Sequence, residues 1–314
     1  LLPPERLYGF CIKKGKHNGF GIIHMIRFTK YLWVYAIISA LVLLPGVYAL
    51  IRFGLKPSID FSGGTLLELT APGVSEDEMR GVAQEEGLEV TSIIASSGDA
   101  YLLRMAKTDV AAGEFVVRLA SASGTMPILL RNEEVGPLIG KELLGKAITA
   151  AALAVLAILL YVARAFRNIK FGVSAVVALI HDLLVVIGVF AILGQVFEVE
   201  VDTLFVTAVL TTMSFSVHDT IVVFDRIREY MKRGGGGSFE QVVDLALLET
   251  MNRSLTNSLT IIFMLLSLAL LGGETIRWFV VALLVGTISG TYSSPFVATP
   301  ILVLWDRWER KKRG

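Results

Sequence analysis

The chain has 314 residues, 54% hydrophobic and 18% charged, with a net charge of +1. Soluble proteins carry about 25% charged residues, so this composition excludes an ordinary soluble domain, and the lack of basic excess argues against nucleic acid as a partner. Cys11 is the single cysteine, which excludes an internal disulfide framework and a cysteine-based zinc cluster.

Residues 1–30 hold Lys13, Lys14, Lys16, Arg27 and Lys30 and few structure signals. They are expected to be a cytoplasmic segment flanking the membrane. The chain opens on Leu1 rather than Met, the mark of a fragment, a processed form or the tail of a longer chain. Residues 31–53 exceed the roughly 20 apolar residues that span a bilayer. Tyr31 and Trp33 suit an interface belt. A secretory signal has a shorter apolar core and a cleavage site, so this span is read as an uncleaved anchor.

Residues 54–145 are the one long hydrophilic stretch, with 14 acidic and 7 basic residues, a net charge of about −7. IDFSGGTLLELTA at 59–71 reads as a strand with a glycine break. SEDEMRGVAQEEG reads as a helix, with Ser75 and Glu78 as a capping box and Gly87 as its stop. LEVTSIIA and AYLLRMA read as strands joined at Ser97-Gly98-Asp99. TDVAAGEFVVRLAS is a second helix, capped by Thr108 or Asp109, and PILLRNEEV a last strand. The order βαββαβ is the ferredoxin-like motif.

Five more spans are predicted at 146–166, 172–194, 201–225, 254–272 and 277–305, giving a polytopic α-helical membrane protein with six transmembrane helices. Arg164, Arg167 and Lys170 fall in one loop, Glu198, Glu200 and Asp202 in the next, and Arg226, Arg228, Lys232 and Arg233 in the third. Arg307, Arg310, Lys311, Lys312 and Arg313 lie in a basic tail, 306–314. This alternation puts both termini in the cytoplasm and the acidic domain outside. The loop 226–253 contains RGGGGS, a flexible linker, and an amphipathic helix over 239–251 expected on the inner membrane surface.

His218 and Asp219 lie inside the fourth span, where a charge costs about 2.5–3.5 kcal/mol on insertion scales. Helical spacing aligns Thr212, Ser216 and Asp219, and beside them Thr211, Ser214, His218 and Asp225. Burial raises a carboxyl group's pKa, so Asp219 is the candidate proton carrier; the rival reading is a permanently ionised Asp paired with Arg. Arg253, at the start of the fifth span, is its expected partner, or else snorkels to headgroups. His181 and Asp182 in the third span either extend a proton relay or bond a neighbouring helix. His218 either titrates or packs neutral, and Asp225 is expected to pair with Arg228 or Arg253. GKELLGKA at 140–147 fits GxxxxGK, but Ala147 stands where a nucleotide site needs Ser or Thr. No metal-ligand cluster and no nucleophile–base pair stands out, so neither cofactor nor enzymatic activity is expected.

Several stretches together resemble one family. IDFSGGT at 59–65, VGPLIGKEL at 135–143, ALIHD at 178–182, FSVHDTIVVFDRIRE at 215–229 and NRSLTNSLT at 252–260 resemble the SecF family of bacterial protein export, related to the RND transporters. The resemblance implies a SecD partner, separate or fused. It also implies a bacterial inner-membrane location beside the SecYEG channel, with YajC and YidC as further partners and an unfolded secretory polypeptide as cargo. It implies use of the proton gradient, with the family's proton-pathway aspartate and arginine falling on Asp219 and Arg253. The family usually has Asn where this chain has His218. An RND-like exporter of small molecules or lipids, and a non-transporting scaffold of the channel, are the alternative readings.

Overall fold

A computed structural model of the protein describes residues 28–95, 99–105, 112–165, 168–233 and 237–313. The expectations for residues 1–27, Ser97, Gly98, Thr108, Asp109, Arg167 and Gly234–Gly236 lie outside the described residues. Among the described residues six helical segments are long and apolar enough to cross a membrane: α1 (Leu32–Phe53), α5 (Pro137–Ala165), α6 (Ile169–Val196), α7 (Thr203–Lys232), α8 (Phe239–Leu271), and α9 (Glu274–Ser293) continued by α10 (Thr299–Arg313). A single π-helical turn, Ser294–Ala298, joins the last two at Pro295, which has no N–H for the helical ladder.

Between α1 and α5 lies the small domain: α2 (Ile59–Ser62), β1 (Gly64–Thr70), α3 (Glu76–Glu85), β2 (Val90–Ala95), β3 (Ala100–Met105), α4 (Ala112–Ser123) and β4 (Ile128–Val135). The sheet order β2-β3-β1-β4, antiparallel throughout, is ferredoxin-like. Leu67 and Leu69 of the central strand are fully buried, and pack with Leu103, Met105, Met79, Phe115 and Leu119. Ser75 and Glu78 form the expected capping box, and Gly87 follows the helix at φ 70°, where glycine carries no Cβ penalty.

The structure departs from the sequence reading in four places. Residues 59–63 are a helical turn capped by Ser58, rather than part of a strand. The second span starts nine residues before the predicted 146, because α5 runs on from Pro137 to pack on that turn. GKELLGKA therefore lies in a helix, with no phosphate-binding loop. The amphipathic segment 239–251 is the first part of the 33-residue α8; Val242, Val243, Ala246 and Leu247 face the helix bundle, not a membrane surface. The expected tail 306–312 completes α10. Its Asp306 takes Lys170 Nζ at 2.7 Å, and Arg307 reaches Glu240 at 3.2 Å.

The helices close on one another through small residues. At Gly46 of α1 an added Cβ would lie 2.9 Å from the Gly188 backbone of α6. At the other end of α1, Asp244 of α8 accepts bonds from Thr29 N and Oγ1, both at 3.0 Å. Phe171 meets Phe224 edge-on at 5.3 Å, and Phe190 stacks near Phe205 at 4.5 Å.

Candidate functional site

α7 starts at the Asp202 cap, whose carboxylate accepts from Phe205 N at 2.7 Å. Burial pushes this carboxyl group's pKa above its ordinary value, and Asp60 adds to the push. From Thr203 the helix runs 30 residues, about 45 Å at 1.5 Å per residue. Asp219 lies about 24 Å along it, near the middle of the span.

One face of α7 is pressed on α9. Gly286 and Gly290, spaced as in GxxxG, admit Thr212 and Ser216: an added Cβ would lie 2.4 Å from Thr212 Cγ2 and 3.1 Å from Ser216 Cβ. Beside this contact Asp182 of α6 is 4% exposed. It accepts from Ser216 Oγ at 2.5 Å, Ser289 Oγ at 2.6 Å and Ser293 Oγ at 2.6 Å, with His181 Nδ1 at 3.1 Å. A carboxylate has about four lone-pair sites, and three of them take serine hydroxyls. Three helices are thereby tied at one buried group. Asp182 thus bonds two neighbouring helices, while His181 bonds Asp182 on its own helix. His181 Nε2 is buried with no partner among the described residues. Thr220 and Ser294 share a hydroxyl–hydroxyl bond of 2.9 Å against the π turn.

Asp219, on the next face of α7, is half-buried and accepts from Ser254 Oγ of α8 at 2.7 Å. A cleft of about 40 Å³ lies against it, lined among others by Ser216, His218, Asn257, Ser258 and Thr287. A water needs about 10–15 Å³ measured in this way, so the cleft has room for one. Arg253 does not make the expected ion pair: among the described residues the partner of Asp219 is Ser254, one position on. Arg253 is exposed and lines a shallow groove of about 520 Å³ with Glu249, Asn252, Thr256, Asn257 and Thr260. His218 is exposed on the same side. Asp225 approaches Arg228 at 3.9 Å, and not Arg253. The structure brings Ser216, His181 and Asp182 together, sets Thr212 one turn away against Gly286, and gives Ser216 and Asp219 a share of the same small cleft.

The sequence reading missed Ser254, Ser289, Ser293, Gly286 and Gly290. The G-x-x-x-G signal was present at 286–290. Among the described residues no group of three or more His, Cys, Asp or Glu side chains is placed to hold a metal ion.

The profile described as "Protein export membrane protein SecD/SecF, C-terminal" matches residues 119–308, and the "SecD/SecF GG Motif" matches 48–71, the stretch that holds Gly63 and Gly64. The chain belongs to the SecD/SecF family. It is 41% identical to the protein translocase subunit SecF of Thermobaculum terrenum, over 90% of this chain and 94% of that one. It is 34% identical to the protein translocase subunit SecDF of Thermus thermophilus, over 80% of this chain and 35% of that one. A crystal structure of SecDF from that organism, titled a translocon-associated membrane protein, superposes with a TM-score of 0.80 at 31% identity and covers 92% of this chain. SecDF in a super-membrane-facing form gives 0.65 at 29%. The chain spans 40% of the length of each SecDF structure. The six spans with an inserted ferredoxin-like domain are the RND-like half expected from the sequence.

Proposed function

We propose that this chain is the SecF subunit of a SecD–SecF unit that promotes protein export through the Sec channel with the energy of the proton gradient, and that Asp219 is where the proton acts. The observation that carries this reading is the contrast between two carboxylates. Asp182 is held by four contacts, whereas Asp219 has one hydroxyl bond and a cleft with room for water. Ser254 can bond either form of Asp219, whereas Arg253 gains only from the ionised form. Gain or loss of the proton therefore moves α8 against the tied unit of α6, α7 and α9. Consecutive helix positions lie about 100° apart at 3.6 residues per turn, so a turn of α8 by that angle exchanges Ser254 for Arg253 in front of Asp219. Arg253 then holds the ionised state and Ser254 the neutral one. One charge crossing 100 mV releases about 2.3 kcal/mol, comparable to the cost of burying a charge in a span, so one proton suffices to bias two packings.

A SecD-like partner fits the exposed polar stripe in mid-bundle: Ser214 and His218 of α7 with Asn252, Arg253, Thr256, Asn257 and Thr260 of α8. Such groups face a partner or water, not lipid. The alternation of basic loops supports cytoplasmic termini and the α/β domain outside, and the likeness to SecF supports the bacterial inner membrane as the location. On this reading SecYEG, with YajC and YidC, and the unfolded secretory polypeptide are the partners, and the proton gradient takes the place of a cofactor.

The test is gradient-dependent export of a secreted precursor into membrane vesicles. With Asp219→Asn at normal protein level, the gradient-dependent part is expected to vanish. Full stimulation in that variant would sink the proposal and leave the scaffold reading.

A further inference from the structure

Where α1 ends, the chain is stitched to the loop between α6 and α7. Val201 N donates to Lys56 O at 2.8 Å, and Ser58 N to Val201 O at 2.9 Å. Two ion pairs, Lys56–Glu198 and Arg104–Glu200, add to this seam. Arg104 belongs to β3. Burial pushes its guanidinium pKa down to about 10, against the upward pull of Asp202 and Glu198, so it stays charged at neutral pH. The acidic loop thus docks the α/β domain as well as marking its side of the membrane.

The tightest part is the turn α2. Ser58 Oγ accepts from Asp60 N at 3.2 Å and starts the turn. Asp60 Oδ2 then accepts from Thr203 N at 3.2 Å and Thr203 Oγ1 at 2.9 Å. Thr203 is the first residue of α7, so a carboxylate from the domain sits on that helix's N-terminus, where the free N–H groups and the helix dipole favour it. Behind the turn there is no slack. A Cβ added at Gly140 of α5 would lie 2.9 Å from Gly63 N and 3.0 Å from Phe61 O, and one at Gly64 would lie 2.7 Å from Met105 O. Asp60 grips α7, while Gly63 and Gly64 are wedged between α5 and the sheet.

We propose that the turn Ile59–Gly63 is the joint through which the position of α7 sets the orientation of the α/β domain, with Asp60 as its positioning residue. A helix is stiff along its axis, so when α8 and the unit that holds α7 shift past one another at Asp219, the displacement of α7 arrives at Thr203. There the Asp60 carboxylate passes it to β1, the central strand. This deepens the reading above and rests on it for the origin of the shift; the joint itself is tested without the proton.

The experiment uses the full chain in native membranes with its co-expressed partner, in a Cys11→Ser background. Spin labels at Gln84→Cys in α3 and Met231→Cys at the far end of α7, both exposed positions, report the distance between domain and helix. Asp60→Ala is expected to shift and broaden the distance distribution. Asp60→Asn, which keeps an oxygen to accept from Thr203, is expected to restore the narrow one. Asp60→Ala is also expected to lose most gradient-dependent export, with gradient-independent export kept. A distribution in Asp60→Ala that superimposes on that of the parent overturns the joint, whatever Asp219 does. If Asp60→Ala does not accumulate, Thr203→Val cuts the hydroxyl bond from the other side and is read in the same way. An Asp219→Asn variant with full stimulation overturns the proton reading alone, since the distance measurement does not depend on it.

Discussion

Two carboxylates on neighbouring helices have different surroundings, and the difference can be read in how each responds to substitution. Asp182 receives three serine hydroxyls and the His181 ring. Asp182→Asn keeps one accepting oxygen but turns an NH2 group toward serine hydroxyls that donate, so it is expected to cost about 2 kcal/mol, read as a lower thermal midpoint in mild detergent. Asp219 shares a single bond with Ser254. Ser254→Ala is expected to cost no more than about 1 kcal/mol, yet to change the gradient-dependent part of export. The paired comparison is decisive: Ser289→Ala with Ser293→Ala should lower stability more than Ser254→Ala does. Equal losses in both would mean that the two carboxylates are not specialised in this way.

At the scale of the elements, α7 is defined by what meets each of its faces. Thr212 and Ser216 lie against Gly286 and Gly290, so Gly286→Val is expected to push α9 off α7 and abolish accumulation of the folded protein. A mass and yield equal to the parent's after detergent extraction would contradict this. At the start of α7, burial raises the Asp202 pKa above 3.8. A raised folded-state value contributes stability that is complete below the unfolded value and is lost as pH rises through the folded one. Asp202→Asn keeps a good N-cap and has no proton to lose. It is expected to flatten the fall in melting temperature as pH rises above the ordinary carboxylate range, and an unchanged pH slope would refute the assignment. The α/β domain was largely legible in the sequence because its signals are local: the Ser75–Glu78 box, Gly87, and alternation along the strands. The continuity of α8 was not, since Val242, Val243, Ala246 and Leu247 find an apolar surface equally in lipid or in protein, and only the tertiary structure decides between them. The ties of Asp182 were hidden for a related reason: Ser289 and Ser293 lie more than 100 residues away in the chain. Asp219 itself was conspicuous as a charge in an apolar run, but whether Arg253 or Ser254 faces it depends on helix rotation, which one residue of spacing does not resolve.

For the whole molecule, the uneven surface of the bundle is the main constraint. Helix α8 turns Asn252, Arg253, Thr256, Asn257 and Thr260 outward within a segment otherwise apolar enough to span a membrane. Expressed alone, the chain is expected to be degraded or to self-associate. Co-expression with a SecD-like subunit should restore a single species, checked by native mass spectrometry. A stable lone monomer in lipid would argue against a partner on this face.

The contact between Gly46 and Gly188 has a consequence for how the protein is made. Helix α1 leaves the ribosome before its seat on α6, which emerges roughly 140 residues later, a delay of about 7–30 s at ordinary elongation rates. Through that interval α1 waits in the bilayer with its glycine face bare, and any other small-residue surface nearby competes for it. Nascent α1 is therefore a natural client for an insertion chaperone, and slowing translation before codon 188 should lengthen the time for which it can be crosslinked to one.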